Sequence, residues 1–478
     1  MYSSLLPLYE NASGQKVNGD KTALYFSHNT PQDRRASITN IFGTNPSTQF
    51  EKYLGLPSVI GRVKKKAFHE LKDWIWKRLQ GWKEKFLSQA GREVLIKAII
   101  QAILTYAMSV FSFPAGLCVD ICSMANRFWW GQREGSRKIH WLSKEKLIMP
   151  KAKGGIGFRD LHLFNKALLA RQGWRLMQNP HSLVARLLKA KYFPHKDFLD
   201  ASIPTNASHV WRSICGATVV LKAGLQWRIG MGSRVKIWKD AWLPSPTTHR
   251  VLSPICVLDQ NAIVDSLIDV ETMSWNQSLI QWVFWPRDSA MILAIPLSKR
   301  KPPDRLIWTG IKNGKFTVQS AYHLLLAQQR CGEASSSTTS SWNSLYKAIW
   351  SARVQLKVKL FIWRACSDIL PTQSNLFRRG VSNAMSCRWC ENDVETVPHA
   401  LWQCDFAQKV WKAAPISFSS DCISSLCFTD VVQCCVQSLD HPNWEIMLTS
   451  AWKLWQARNR FLWEVLPKYQ PKRGGDLG

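Results

Sequence analysis

Cys387-Arg388-Trp389-Cys390, followed after eight residues by His399 and after four more by Cys404, is the stretch on which the reading of this chain turns. Two thiols separated by two residues can reach one ion from a single tight turn, and an imidazole and a third thiol on a following helix complete a tetrahedron. Soft thiolates with one imidazole select zinc over magnesium or calcium. Four protein ligands leave no open position, so the expected ion is structural rather than hydrolytic. The competing reading is a coincidental cysteine pair in a cysteine-rich region, with Cys366, Cys422, Cys427, Cys434 and Cys435 as alternative ligands. Their apolar neighbours suit those five better to buried thiols. Trp389 and Trp402 lie within the cluster beside Arg388. They can pack the small core that such a module lacks, or stack on unpaired bases at about 1–3 kcal/mol per base.

The charge around this stretch points the same way along the whole chain. Its 478 residues carry 63 Lys and Arg against 33 Asp and Glu, a net +30. Such a field favours polyanions, because every neutralised phosphate releases counterions, although the same charge can serve solubility alone. With 46% hydrophobic residues the chain can fill several cores. The most apolar window, residues 94–113, is broken by Lys97, Gln101 and Thr105, so no membrane span is expected. The N-terminus lacks a basic flank and a long apolar region, so no secretory signal is expected. Thirteen scattered cysteines then imply a reducing, intracellular setting with mostly free thiols.

Upstream, helical spacing dominates. Apolar residues at 68, 71, 75, 79, 82 and 86 define one helix. Its other face is basic, with Arg62, Lys64, Lys65, Lys66, Lys72, Lys77 and Arg78, and could lie along a phosphate backbone or simply face solvent. Further helices are expected over residues 91–111, 119–130 and 164–190. Lys153-Gly154-Gly155-Ile156-Gly157-Phe158 reads as a structural turn, since no Lys-Ser or Lys-Thr follows the glycines. Residues 224–238 read as a β-hairpin turning at Gly230-Met231-Gly232-Ser233, and residues 305–318 as a second β piece turning at Asn313-Gly314. Residues 244–254 and 335–341 read as linkers. The fold class is therefore mainly α with short β-hairpins (α+β), a helical region followed by a small zinc-binding module.

No catalytic centre is legible. Two-metal polymerases and nucleases need converging carboxylates, and the chain has no Asp-Asp pair. Asp160, Asp240, Asp304 and Asp368 stand isolated, and neither a serine nucleophile elbow nor a His-Glu-x-x-His motif is present.

Taken in order, several pieces resemble one family. They are Ser13 to Asn18 with Lys21-Thr22, Tyr53 to Pro57, Gly61-Arg62, Trp82 to Leu87, Phe128 to Gly131, Gly154 to Phe158, and Trp227 to Leu243. Asp304 to Tyr322, Trp350, Trp363-Arg364, the four candidate ligands, and Trp452, Trp455, Arg458 and Asn459 follow. Nearly the whole chain resembles the part of a plant LINE-type, non-LTR retrotransposon reverse transcriptase that follows the catalytic palm, ending in its zinc-binding domain. The resemblance implies a thumb-like element in residues 1–115 and a Trp-rich connector in 116–330. It further implies a zinc-binding domain in 342–415 and a helical extension in 416–478. The family's catalytic aspartates belong upstream of the matching stretch and its ribonuclease H domain downstream, so neither active site carries over and the chain is expected to be no enzyme.

The ligands do carry over, as Cys387, Cys390, His399 and Cys404. The implied partners are an RNA template or target DNA, together with other retroelement polypeptides. The nucleus follows only from where such machinery acts. Two alternatives stay open: a contribution in trans to RNA-directed DNA synthesis, and a host scaffold or functionless pseudogene product.

Overall fold

The helical spacing around residue 75 appears in the computed structural model as one long element. The structure describes residues 2–16, 18, 24–27, 29–43, 52–53, 56–57, 64–83, 87–132, 138–245, 248–269, 271–330, 339–391, 393–418 and 427–462. Two units divide the chain, residues 1–76 and 77–478.

The first unit holds α1 (Tyr2–Ser13), α2 (Gln32–Phe42), a tight antiparallel pair β1 (Lys52–Tyr53) and β2 (Leu56–Pro57), and the start of α3 (Lys64–Lys83). Phe68 and Ile75 are buried here, and Leu79 at the start of the second unit, as the spacing required.

In the second unit, the apolar window becomes α4 (Gln89–Leu95), a π-helical turn (Ile96–Ile100) and α5 (Gln101–Met108). Ser88 caps α4, its hydroxyl accepting from Gly91 N–H. After α6 (Ala115–Trp129) and α7 (Lys144–Ile148) comes the central helix α8 (Leu161–Gln178), which buries Leu163, Phe164, Ala167, Leu168 and Ala170. The helix expected over 164–190 is in fact two. It breaks at Asn179-Pro180, because proline disfavours helical backbone in the residue before it, and restarts at Ser182, which caps α9 (Leu183–Tyr192). Among the described residues no helix is long and apolar enough to cross a membrane.

The middle of the chain departs from the expected hairpins. After α10 (His209–Gly216) and α11 (Thr218–Gly224), β3 (Leu225–Arg228) pairs not with residues 235–238 but with β6 (Arg305–Trp308). The physical reason lies in Asp304, whose carboxylate accepts from the N–H groups of Gly230, Gly232 and Arg234. Those donors are turned away from a ladder. Residues 309–318 form no second strand either: the Thr317 hydroxyl accepts from Ser320 N–H and starts α14 (Val318–Arg330).

Between the paired strands lies a small core of Val235, Ile237, Trp242, Val264, Leu267 and Ile280. It is framed by β4 (Ile268–Asp269), β5 (Ser274–Trp275), α12 (Gln277–Val283) and α13 (Pro286–Leu293). The expected linker 244–254 is packed against it. Asp288 Oδ2 takes hydrogen bonds from Leu252 N–H, Ser253 N–H and Ser253 O–H. The second expected linker falls largely on residues 331–338, outside those described.

The C-terminal helices are α15 (Thr339–Ser351), α16 (Leu356–Cys366), α17 (Gln373–Arg378), α18 (Asp405–Ala413), α19 (Phe428–Ser438) and α20 (Asn443–Arg460). The glycine turn seats them. Gly154 and Gly157 have φ of 82° and 75°, which only glycine adopts without strain. The Trp363 indole donates to Gly154 O at 2.9 Å, and a Cβ at Gly155 would lie 1.9 Å from Met149 O. Beside this turn, Lys97 and Lys151 each reach the buried Glu93 Oε1 at 2.7 Å, and Lys151 lies over the Trp350 ring at 3.9 Å. The turn is structural, as its sequence implied.

Candidate metal centre

The cysteine pair sits on a knuckle built by backbone hydrogen bonds. Ser386 bridges Val394 in antiparallel fashion, Cys387 N–H donates to Asp393 O at 2.8 Å, and Glu391 N–H returns to Cys387 O at 2.9 Å. Glu391 turns the chain with φ of 59°. The other two ligands come from a π-helical turn, His399–Gln403. Its first residue is His399, and Cys404 follows its last, leading directly into α18. Cys404 N–H donates to His399 O at 2.8 Å, which fixes the spacing of this second pair.

Cys387, Cys390, His399 and Cys404 bring their ligand atoms within 4.8 Å of one another. Cys387 Sγ lies 3.9 Å from Cys404 Sγ, and Cys390 Sγ lies 3.3 Å from His399 Nε2. A tetrahedron with Zn–S of about 2.3 Å and Zn–N of about 2.0 Å has S···S edges of about 3.8 Å and S···N edges of about 3.5 Å. The donor set and its spacing therefore fit zinc. Cys387, His399 and Cys404 are buried and Cys390 half-buried, so little water competes.

Electrostatics explain what an ion would change. Burial pushes the Cys387 thiol up to about 12 and raises that of Cys404, so both are neutral without a cation. Burial also lowers the His399 imidazole against the opposing pull of Asp393, Glu395 and Asp405, keeping it neutral and able to ligate. With Nε2 turned to the thiols, His399 Nδ1 faces Asp393 Oδ2 at 3.8 Å, the position of a carboxylate that orients a ligating histidine.

The alternative cysteines are elsewhere. Cys366 is buried beneath α19, Cys427 donates its S–H to Asp430 Oδ2, Cys435 is fully buried and Cys434 is disulfide-bonded. Cys422 lies outside the described residues. Ten described cysteines are free thiols.

The candidate nucleic-acid contacts are not gathered in this way. Arg62 lies outside the described residues, and so do the side chains of Lys64, Lys65 and Lys66 at the start of α3. Lys72 is half-buried, whereas Lys77, Arg78 and Arg388 are exposed. Trp389 packs on Phe406 with ring centroids 4.1 Å apart, so at least part of its surface is used internally.

Sequence reasoning missed two supports of the centre, Asp393 and Glu395. Glu395 is 1% exposed and paired with Arg458. A signal for it existed in the Trp452, Trp455, Arg458, Asn459 motif, whose arginine needs a buried acid. Nothing local named that acid.

One family model falls on this centre. Residues 316–411 match the family described as zinc-binding in reverse transcriptase, a span that contains all four ligands. A mitochondrial protein of Arabidopsis thaliana named as uncharacterized is 43% identical over 147 residues, 30% of this chain and 96% of that protein. The chain belongs to the reverse-transcriptase-related retroelement proteins. A second Arabidopsis thaliana member, bearing the name "Putative ribonuclease H protein", is 28% identical over 362 residues. That alignment takes in 74% of this retroelement protein but only 57% of the relative's length.

Proposed function

We propose that this chain is a non-catalytic piece of a LINE-type reverse transcriptase, from the region after the palm, which holds RNA or DNA on a scaffold closed by structural zinc. The observation that carries the reading is the buried Cys3His cluster, with tetrahedral edge lengths, inside the span that matches the reverse-transcriptase zinc family. Zinc would supply cross-linking of two chain segments 17 residues apart at their ends, with no ligand position left for substrate.

The isolated acids support a non-catalytic reading. Asp160 caps α8, Asp240 accepts from Lys236 N–H, Asp304 is spent on three backbone donors, and Asp368 pairs with Arg378. Each has a structural task, and among the described residues none of the four joins a His/Cys/Asp/Glu group that could hold a metal ion. The +30 charge supports a polyanionic partner, with α3 and the exposed Arg388 as candidate contacts and other retroelement polypeptides as further partners. A nuclear site of action follows from the same reading.

Two measurements on the purified full chain test it: zinc content by mass spectrometry, and binding of labelled RNA and DNA as salt is raised. One zinc per chain and steeply salt-dependent binding are expected. Absence of binding at moderate salt overturns the nucleic-acid half. Primer extension with magnesium and deoxynucleotides is expected to give no product, and extension abolished by replacing an acidic residue would overturn the non-catalytic half.

A further inference from the structure

The β3–β6 ribbon carries a charge arrangement that the fold leaves unbalanced. Arg228 ends β3, Arg305 begins β6, and the register sets them directly opposite each other. Directly opposed residues share a face with Cβ atoms about 4.5–5.5 Å apart, and like charges so placed repel. Both arginines are exposed. On the neighbouring strand position the exposed Arg234 guanidinium lies over the Trp227 ring at 5.7 Å, and Lys299 and Arg300 are exposed in the turn that precedes β6 in the chain.

No carboxylate among the described residues pairs with Arg228, Arg234, Lys299, Arg300 or Arg305. The acid next to Arg305 is unavailable. Asp304 is 5% exposed, and its oxygens accept from Gly230, Gly232 and Arg234 N–H at 2.7, 2.8 and 2.9 Å. Asp265, whose backbone approaches Gly232, makes no ion pair with these cations. The same Asp304 contacts tie the loop after β3 to the start of β6, where a Cβ on Gly230 would lie 1.9 Å from Pro302 O. The ribbon end is thus tied by a buried carboxylate whose acceptor positions are taken by backbone donors rather than by either guanidinium. A bridging anion with several acceptor oxygens removes the repulsion, and guanidinium groups suit phosphate for that purpose.

We propose that Arg228 and Arg305 take one backbone phosphate of a nucleic acid between them. This site rests on the nucleic-acid-binding reading above and gives it a second contact face, on an element separate from α3.

The test is Arg228→Glu in the full zinc-loaded chain, followed by thermal melting and by anisotropy with a labelled single-stranded oligonucleotide across a salt series. The substitution turns a repulsive cross-strand pair into an attractive one, so the melting temperature is expected to stay level or rise while affinity falls. The slope of log affinity against log salt is expected to shrink by about 0.7, for the loss of one single-strand phosphate contact. Arg305→Glu is expected to do the same.

If the wild-type chain binds, both single reversals leave affinity and slope unchanged, and reversal of Lys72, Lys77 and Arg78 abolishes binding, the ribbon site is overturned and the parent reading stands. If the wild-type chain does not bind at moderate salt, the parent reading falls and the ribbon site with it. Lower melting temperatures for both reversals contradict the repulsion from which the site is inferred and also overturn it.

Discussion

Arg458, in the last turn of α20, closes a forked ion pair on Glu395, 63 residues earlier in the chain: Nε lies 2.9 Å from Oε1 and Nη2 bonds Oε2. Both side chains are almost fully buried, and Gln373 N–H completes the carboxylate at 2.7 Å. Since Glu395 sits four residues before His399, this pair ties the C-terminal helix to the loop that carries the metal ligands. Removing one partner strands a buried charge. Arg458→Ala is therefore expected to cost about 3–5 kcal/mol in denaturant unfolding. Combining it with Glu395→Leu should recover part of the loss, and a double variant no better than the single would contradict the pairing.

Zinc removal tests the second level of organisation. Cys387→Ser and Cys404→Ser are each expected to abolish stoichiometric zinc and loosen residues 373–413, read as lost hydrogen-exchange protection there. Binding free energy at such sites reaches about 10–16 kcal/mol in small peptides, so the effect should be large. Cys435→Ser lies outside the cluster and should keep its zinc.

The two forms of the centre should respond to pH with opposite sign. In the metal-free protein burial holds the Cys387 thiol up to about 12, above its unfolded value of about 8.5. The stability this represents is fully present below about 8.5 and is lost as pH rises towards 12. Zinc needs thiolates, so in the loaded protein protons compete and stability is lost as pH falls. Melting temperatures measured with and without chelator should diverge in this way; parallel profiles would show that the thiols do not bind the ion.

The glycine turn gives a prediction independent of metal. Gly155→Ala forces a Cβ to within 1.9 Å of Met149 O and should destabilise by about 2–3 kcal/mol or more. Gly116→Ala, in α6 with nothing within 4 Å, should be neutral or stabilising by up to about 1 kcal/mol. Equal denaturation midpoints for the two variants would refute the packing of the turn.

What the amino-acid order determined by itself is chemistry confined to a few turns. The apolar spacing that buries Phe68, Ile75 and Leu79 and the caps at Ser88 and Asp160 depend on neighbours within a few helical turns, and the Cys-x-x-Cys knuckle with its following His and Cys is confined to 18 consecutive residues. The two-residue gap lets both thiols reach one point whatever lies beyond it.

Tertiary structure decided everything that required a distant partner. The alternation around Trp227 marked a strand, but Asp304, more than seventy positions on, captured the N–H groups of the loop and delivered β6 as the pairing partner. Nothing in the Trp-x-x-Trp-x-x-Arg-Asn motif names Glu395, and nothing in Gly154 names Trp363. The reason is physical. Local periodicity specifies which face of an element is apolar, whereas a buried charge or a strand edge is satisfied by whichever complementary group the assembled core brings within about 3 Å.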